Sequence, residues 1–556
     1  MTGIERKSRW RRLWPWLMAL VVVAGAWVRL DQFTAQVLID DEWHAVHQIL
    51  VHGPLEMLRD FGYADYSIPL GILYWAEAHA FGLSETAMRW PMLLCGLATL
   101  VLFPLYVAPR LSRATALVFA TLLAMSPLLV VYSRIARPYG ITLLLGWTAH
   151  AAYQRFHRHG RFAAAAGVAY AIAASLAIWL HPIAAPFVLA PLLWGLHAHA
   201  TGPRDTRRES MRRWLALAVG TAVVTALFVL PPLLAHPQSL SAKALSDRPT
   251  QATLEGVWFA WFGTPSLIAV ILCVALAALG SRCVWGHVPV ARTGLVGIAL
   301  TFAAVLATGP MYVYNPLTLA RYLLPLLPLL LLATAEGAVL VARRISAPAT
   351  PVRAVLAAGM AVLPCVALGW QSPLPAMLRY PNTHTLQAMF HFDFRPEANP
   401  FLPRVAVTPL SPYWAALARN PPGSLRIAAA PFYFESYNWD APRWERLSRQ
   451  TVLPGYLTGL CVERRFGEVP ESPEFRFRNA VHLANPAELA DRQIDYVVWQ
   501  KPYVQTSAGR KEAIGTDTAG CETVLRTKLG DPVYEDSLII VFHAAAQDRA
   551  SSDAQR

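Results

Sequence analysis

The chain has 556 residues, of which 55% are hydrophobic and only 15% are charged, and its mean hydropathy is +0.36. A soluble globular domain is roughly 25% charged, so this composition indicates a membrane protein. The formal net charge is +13. The basic residues lie in short segments between apolar runs and are not interleaved with aromatics on a polar surface, which argues against nucleic acid as a partner.

Apolar runs long enough to cross a bilayer as helices follow one another over the first two thirds of the chain. The first run follows Arg6 to Arg12 and lacks a small-residue cleavage site, so we interpret it as a retained anchor rather than a signal peptide. We predict about eleven spans, over residues 13–30, 90–108, 114–131, 139–153, 162–180, 182–200, 214–234, 257–279, 293–309, 322–341 and 354–370. The predicted fold class is therefore a polytopic all-α membrane domain, residues 1–370.

The positions of Arg and Lys predict the orientation of these spans. The basic residues gather in alternate connecting segments, beginning with the N-terminus, and such residues stay on the cytoplasmic side. With the N-terminus inside, an odd number of spans puts everything after residue 370 outside. The first outer loop, residues 31–88, lies on that same side and contains predicted interfacial helices over 42–51 and 74–81.

After residue 370 the apolar runs shorten and charges mix with them. Short strands over 425–429, 496–499 and 537–542, with a helix over 442–449, indicate a C-terminal extracytoplasmic α/β domain over 371–543. Residues 544–556 are small and polar, and we expect a disordered tail. Cys461 and Cys521 would face an oxidising compartment, which makes them candidates for a disulfide.

Three adjacent carboxylates, Asp40, Asp41 and Glu42, stand where the first interfacial helix begins. One interpretation is structural, because carboxylates at a helix N-terminus complement the helix dipole and cap free amide groups. The other is that one of them is a base at the mouth of a cavity, since crowded like charges raise a carboxyl pKa. The spacing alone does not choose between the two.

His44 and His47 are three residues apart on the same predicted helix and could share a face with Asp41. Imidazole and carboxylate groups are common ligands of divalent metals, but a single pair at this spacing is a weak signal. A divalent metal is therefore possible, and no cofactor is firmly predicted.

Arginines occur at the outer ends of predicted spans, where the topology bias disfavours them: Arg134, Arg137 and Arg321. A guanidinium at membrane depth is costly unless it reaches the surface or meets an anion. They could pair with acidic residues of the first outer loop, which are Asp65, Glu77 and Glu85. Alternatively they form an anion site, because the guanidinium fork suits phosphate oxygens and lipid phosphate is the anion at that depth.

Together these stretches resemble the GT-C glycosyltransferases, membrane enzymes that use lipid-linked sugars, and within them the group of lipid A aminoarabinose transferase and the dolichyl-phosphate-mannose protein mannosyltransferases. The matching stretches are Asp41-Glu42, RWPMLLCGLATL, YSRIARPYG and ARYLLPLLPLLLL, and they cover about residues 13–345. Many relatives have a His-Pro-Pro-like stretch before the second span, where this chain keeps Pro69 but has no histidine over 65–70.

The resemblance implies that a sugar passes from a polyprenyl-phosphate carrier to an envelope acceptor (lipid A, polysaccharide, another lipid or protein), with inversion, on the periplasmic side of a bacterial inner membrane. The leaving phosphate is a weak base, so one base and a phosphate clamp suffice. Asp41 is then expected to be the base, supported by Glu42 or Asp40. The residues expected to bind the donor phosphate are Arg134, Arg137, Arg321, Lys243, Tyr139 and Tyr322.

Two other functions fit a chain with many spans. A transporter or flippase of envelope precursors would typically show internal repeats and ionisable residues in mid-span. A non-catalytic protein that assembles envelope polysaccharide would tolerate loss of Asp41 and the arginines. An aromatic run over 431–439 is either a sugar-stacking surface or part of a core.

Overall fold

The computed structural model describes residues 3–34, 36, 38, 41–62, 67–157, 163–201, 204–242, 244–346, 351–369, 372–375, 410–430, 441–454, 456–458, 474–477, 480–482, 489–490, 492–501 and 518–544. The chain falls into two compact units. The first comprises Met1–Asp31, His52–Leu73 and Arg89–Ser372, and the second comprises Gln32–Val51, Tyr74–Met88 and Pro373–Arg556. The second unit therefore takes in two pieces of the first outer loop, in addition to the domain predicted to begin at residue 371.

The chain as far as residue 369 is helical wherever it forms regular structure within the described residues. Its helices are α1 (Gly3–Leu30), α2 (Asp41–Val51), α3 (Pro54–Met57), α4 (Ile68–Phe81), α5 (Glu85–Val107), α6 (Arg113–Met125), α7 (Pro127–Val131), α8 (Tyr139–His157), α9 (Ala163–Leu180), α10 (Ala185–Thr201), α11 (Arg204–Ala235), α12 (Gln238–Ser241), α13 (Gln251–Phe262), α14 (Leu267–His287), α15 (Pro289–Thr308), α16 (Pro316–Tyr322), α17 (Leu326–Ile345) and α18 (Pro351–Gly369).

Seven helices in the described part of the chain are long and apolar enough to cross a membrane: α1, α5, α9, α11, α14, α15 and α17. Three shorter apolar helices cover 113–125, 182–198 and 355–369. These helices define a multi-pass membrane protein with a small C-terminal sheet, as the composition indicated. The number of about eleven spans stays a prediction.

The predicted span over 257–279 has the wrong boundaries. It contains the end of α13 and the start of α14, because Gly263 adopts a left-handed φ of 62° and its N–H donates to the carbonyl of Phe259, which ends α13. A side chain is excluded there as well, since a Cβ on Gly263 would lie 2.5 Å from Pro127. A residue of this kind closes a helix even within an apolar run.

Two further predicted span boundaries are wrong because prolines interrupt the helices there. The predicted span over 114–131 divides into α6 and α7, since Ser126 is extended and Pro127 opens a new helix. The predicted span over 322–341 begins only at Leu326, after Pro325, because Tyr322 is the last residue of the separate helix α16. Apolar runs do not show such interruptions, because the residues on both sides are equally hydrophobic.

Helices α14 and α17 pack backbone against backbone. A Cβ on Gly280 would lie 2.0 Å from the carbonyl oxygen of Ala333, and one on Gly337 would lie 1.9 Å from that of Leu276. In a membrane the hydrophobic effect does not drive helices together, because lipid tails are as apolar as the side chains. Small residues permit the close van der Waals packing that stabilises a helix pair instead.

We expect Gly337→Leu to destabilise the protein by about 1–3 kcal/mol, because an added side chain must force these two backbones apart. The measurement is the midpoint of thermal unfolding of the full chain in detergent, followed by tryptophan fluorescence. Gly220→Leu on α11 is the matched control, since nothing lies within 4 Å of a Cβ there. Equal midpoints for the two variants would contradict the packing described.

The second unit contains a five-stranded sheet. Its described helices and strands beyond residue 375 are α19 (Pro412–Ala416), β1 (Arg426–Ala430), α20 (Ala441–Ser448), β2 (Thr451–Pro454), β3 (Tyr456–Thr458), β4 (Ala480–His482), β5 (Tyr496–Gln500), α21 (Thr518–Leu529), β6 (Tyr534–Glu535) and β7 (Ile539–His543). The strand order is β2-β1-β5-β7-β6, with β1 parallel to β2 and β5, and β7 antiparallel to β5 and β6. The predicted strands and the predicted helix of this domain are confirmed.

Both faces of the sheet are covered by apolar side chains. On one face Trp414 and Trp444 stack with parallel rings 4.7 Å apart, and on the other Leu525 and Trp499 are buried. Ala544, the first residue of the predicted tail, is instead part of the folded domain, because it is buried and its N–H donates to the carbonyl of Asp495. Residues 545–556 lie outside the described residues.

The connection between α4 and α5 is bonded to the C-terminal part of the second unit. The N–H of Leu83 donates to the carbonyl of Glu474 (2.6 Å), and the N–H of Arg476 donates to the carbonyl of Leu83 (2.8 Å). The two segments thus form a parallel bridge between Leu83 and Phe475. Backbone pairing of this kind satisfies polar groups that would otherwise face an apolar neighbour.

Asp536 fixes the turn that leads into β7. Burial acts to raise its pKa, but hydrogen bonds from the hydroxyls of Ser411 and Tyr534 and from the amides of Leu538 and Ile539 outweigh that effect and hold the pKa below its ordinary value. A carboxyl whose folded pKa is lowered stabilises the fold above its unfolded pKa, and this contribution is lost as the pH falls through the folded pKa.

We expect Asp536→Asn to destabilise the sheet by about 1–3 kcal/mol at pH 7, because the four donors around it lose a charged acceptor. Amide exchange of β7 in the full chain should therefore be faster in the variant than in the wild type. The difference should begin to shrink as the pH falls below the ordinary carboxyl pKa of about 4, and it should vanish below the lowered folded pKa, where the wild-type carboxylate is itself protonated. Asp531→Asn, at an exposed residue, is the control. A difference that stays unchanged down to the lowest pH at which the chain remains folded would contradict this role.

Candidate functional site

A pocket in the first unit brings together three of the residues predicted to bind phosphate. Its polar lining consists of Tyr139, Thr142, His181, Thr301, Arg321 and Tyr322, and the rest is apolar. Among the described residues that line it, none is acidic, and Arg321 is the permanent cation. The pocket therefore has the charge that an anion requires.

Helix ends build this pocket. Tyr139 is the first residue of α8, and Arg321 and Tyr322 are the last two of α16. His181 directly follows α9 and precedes a turn of 3₁₀ helix over Pro182–Ala184. A proline starts that turn and another starts α16, which fits the preference of proline for the first position of a helix. Short helices and turns can thus present polar groups where long spans present apolar ones.

The guanidinium of Arg321 lies against two aromatic rings. Its Cζ is 5.5 Å from the ring centroid of Tyr139 and 5.5 Å from that of Tyr322. Tyr139 in turn contacts the ring of Tyr132 at 5.0 Å. Aromatic faces attract a guanidinium, more strongly where water is excluded, so the tyrosines hold Arg321 in a defined position.

Arg134 is bound to the end of α1. Its Nη1 donates to the carbonyls of Val28 (3.1 Å), Arg29 (3.2 Å) and Asp31 (2.6 Å), so it caps carbonyls that the helix leaves unpaired. Burial lowers the pKa of Arg134 to about 9, with a further contribution from Arg89, and the group still carries its proton at pH 7. These contacts give Arg134 a structural role, and its contact with phosphate stays a prediction.

Arg29 strengthens the same junction. It is buried, and it donates to the carbonyls of Gly25 (2.9 Å) and Leu123 (3.1 Å) and to the hydroxyl of Ser133 (3.2 Å). In the sequence nothing distinguishes Arg29 from an ordinary snorkelling residue, because it lies at the end of an apolar run as such residues commonly do. Its contacts join α1 to α6 and to the segment that carries Arg134.

The other predicted phosphate ligands are less defined. Arg137 is half-buried in the turn before α8, where its backbone N–H donates to the carbonyl of Ile135. Lys243 lies outside the described residues, as does Asp65, which was considered as an ion-pair partner. Glu77 and Glu85 are both buried. The roles of Arg137 and Lys243 stay predictions.

The acidic cluster lies at the start of α2, which begins at Asp41. Glu42, in the first turn, is fully buried, which is unusual for a carboxylate. Asp40 and the side chain of Asp41 lie outside the described residues. Position in the first helical turn agrees with the capping interpretation, and the role of a carboxylate as base stays a prediction.

His44 is exposed on α2 and His47 is half-buried. Burial and the neighbouring His44 lower the pKa of His47 to about 4, so its imidazole is neutral at pH 7. Within the described parts of the chain, no three His, Cys, Asp or Glu side chains come close enough to share a metal ion. The predicted pair of Cys461 and Cys521 cannot be placed, because Cys461 and the side chain of Cys521 lie outside the described residues.

His181 is the pocket residue that the sequence analysis missed. Its ring lies 5.2 Å from that of Tyr139 and 5.9 Å from that of Tyr322, centroid to centroid. The available signal is the His181-Pro182 pair between the apolar runs over 162–180 and 182–200. An ionisable residue at such a position is a functional candidate in a membrane protein.

No protein-family model matches the chain, and no curated protein matches it with significance. Among solved structures it is similar to ArnT from Cupriavidus metallidurans bound to undecaprenyl phosphate, with 16% identity and a TM-score of 0.40 over 96% of this chain and 98% of that one. It is also similar to the oligosaccharyltransferase AglB from Archaeoglobus fulgidus in complex with an inhibitory peptide and a dolichol-phosphate. The identity is 11% and the TM-score 0.38, over 88% of this chain and 70% of that one. A third similar structure is the arabinofuranosyltransferase AftD from Mycobacteria, with 15% identity and a TM-score of 0.40 over 97% of this chain and 42% of that one.

These three proteins are GT-C glycosyltransferases, the family that the sequence motifs resemble. All three TM-scores are below 0.5, so the likeness by itself assigns no function to this chain. The function proposed next rests on the residues of this chain.

Proposed function

We propose that the protein is a membrane glycosyltransferase that takes a sugar from a polyprenyl-phosphate carrier and passes it, with inversion, to an acceptor of the cell envelope. The observation that carries this proposal is the Arg321 pocket. A guanidinium held between Tyr139 and Tyr322, without an acidic residue among the described lining, suits the phosphate of a lipid carrier.

The pocket offers what the departure of a phosphate needs. When the bond from the anomeric carbon to the phosphate oxygen breaks, its electron pair stays on that oxygen and negative charge grows there. A preorganised cation stabilises such charge most where water is excluded. Since polyprenyl phosphate leaves as a weak base, no acid has to protonate the leaving oxygen.

The acidic cluster supplies the second part of the proposal. Asp41 receives the proton of the acceptor hydroxyl or amine as its oxygen or nitrogen bonds to the anomeric carbon, and Glu42 or Asp40 supports it. A divalent metal near His44 and His47 is not required by this scheme. The predicted orientation puts the acidic cluster and the ends of α8 and α16 on the periplasmic side of an inner membrane.

Removal of the protein tests the proposed function. In a strain that lacks it, the sugar-loaded polyprenyl phosphate should accumulate, and mass spectrometry of the extracted lipids identifies the sugar. Expression of the wild-type chain should return the carrier to its normal level. A lipid extract unchanged by the deletion would contradict transfer from such a carrier.

A further inference from the structure

His181 and Arg321 line one pocket and contact the same two aromatic rings. Tyr139 and Tyr322 each lie within 6 Å of the His181 ring and within 5.5 Å of the Arg321 Cζ. The pocket therefore contains two nitrogen-bearing side chains, a permanent cation and an imidazole that can become one. The two groups come from distant parts of the sequence, and the ends of α9 and α16 bring them together.

The backbone at His181 leaves the imidazole out of helix capping. His181 adopts an extended conformation, with φ −157° and ψ 108°, as a residue before proline prefers. Its N–H donates to the carbonyl of Ala177 (3.0 Å), and its carbonyl accepts from the N–H of Ala184 (2.9 Å). The side chain makes no capping hydrogen bond to the turn that follows.

The pocket's two threonines are committed to the main chain. The hydroxyl of Thr142 donates to the carbonyl of Tyr139 (3.0 Å), and that of Thr301 donates to the carbonyl of Gly297 (2.8 Å). Among the described lining residues, the side-chain nitrogen atoms belong to Arg321 and His181.

We propose that His181 is a further catalytic residue, a second ligand of the carrier phosphate that acts mainly on the product. This inference rests on the proposed function. The donor is a phosphodiester with one negative charge. Cleavage of the anomeric C–O bond leaves its electron pair on the phosphate oxygen, and the polyprenyl phosphate monoester so formed approaches two charges at pH 7, since its second pKa is about 6. His181 donates a hydrogen bond to the oxygen on which this second charge develops.

The two side chains then differ in what they recognise. Arg321 contacts the phosphate before and after transfer, because donor and product both carry its first charge. His181 distinguishes them, because a hydrogen bond to a charged acceptor strengthens with the charge. Selectivity for the monoester over the diester is the property that a purely structural role of His181 would not produce.

The experiment measures the Kd of the full chain in lipid nanodiscs for farnesyl phosphate and for its methyl diester. The wild type should bind the monoester about tenfold more tightly than the diester. His181→Ala should raise the Kd for the monoester about tenfold and leave that for the diester unchanged, which brings the ratio close to one. His181→Gln, in which an amide N–H replaces the imidazole N–H as donor, should give a monoester Kd between those of the wild type and His181→Ala. It also serves if the alanine variant fails to fold.

His197→Ala on α10 is the matched control, at an exposed histidine whose substitution should change neither Kd. Equal weakening of both ligands by His181→Ala and His181→Gln, or no change in either, would overturn the proposal. A different result would contradict the proposed function itself: an Arg321→Ala variant that binds both ligands as tightly as the wild type does.

Discussion

Replacement of Arg321 by alanine should lower kcat/KM for sugar transfer by about 10²–10³, the usual effect of removing one donor that stabilises charge in a transition state. The loss arises because the negative charge on the leaving phosphate would then develop in a pocket that lacks its permanent cation. The assay uses membrane vesicles and the lipid-linked sugar extracted from the deletion strain. Arg321→Lys should recover part of the rate, since it keeps the charge but not the planar fork.

The control for this variant is Arg213→Ala on α11, at an exposed arginine whose partner is Glu209 one helical turn away. Such surface pairs contribute little, so transfer should continue at nearly the wild-type rate. If Arg321→Ala retained both the rate and the affinity for farnesyl phosphate, the pocket would not be the phosphate site.

Asp41→Asn should lower kcat by about 10²–10⁴, the range that a positioned general base contributes. Asparagine keeps the shape and can still accept a hydrogen bond at the start of α2, but it cannot take the acceptor's proton. The capping interpretation predicts a different result, in which asparagine replaces aspartate with little loss, since both are good residues at a helix start. The measured rate therefore separates the two interpretations that the sequence left open.

Asp40→Asn and Glu42→Gln complete this series, because the three neighbouring carboxylates compete for the same role. A tenfold or smaller effect at these two positions, beside a large one at Asp41, would identify Asp41 as the base. Glu56→Gln is the control, at an exposed carboxylate that bonds to the N–H of Gly53. A variant series in which Asp41→Asn transfers sugar normally would exclude Asp41 as the base.

Hydrophobicity predicted which parts of the chain are membrane helices and left their interruptions unseen. The span predicted over 257–279 is broken at Gly263, where a backbone angle decides the boundary, and the span predicted from 322 starts after Pro325. A sequence window averages over such single residues. In the C-terminal domain the strands were found because β-branched and aromatic runs, such as the one that became β5, are short and bounded by polar residues.

The candidate site was predictable in part. Arg321 and its two tyrosines could be anticipated, because an arginine at a helix end is costly in a membrane and so needs a reason. His181 could not be assigned from sequence, because only the fold brings the end of α9 to the end of α16. For Arg134 the sequence suggested an anion site, whereas in the structure its guanidinium donates hydrogen bonds to three carbonyls at the end of α1.

The most direct test of the account is the distance between the bound phosphate and the acidic cluster. An electron-cryomicroscopy map of the full chain with farnesyl phosphate should show the phosphorus within about 5 Å of the Arg321 guanidinium, as a charge-assisted hydrogen bond requires. The Asp41 carboxylate should lie within about 10 Å of the same phosphorus, so that one sugar ring and the acceptor atom fit between them. A phosphate bound away from Arg321, or an Asp41 more than about 20 Å from it, would contradict a shared catalytic site.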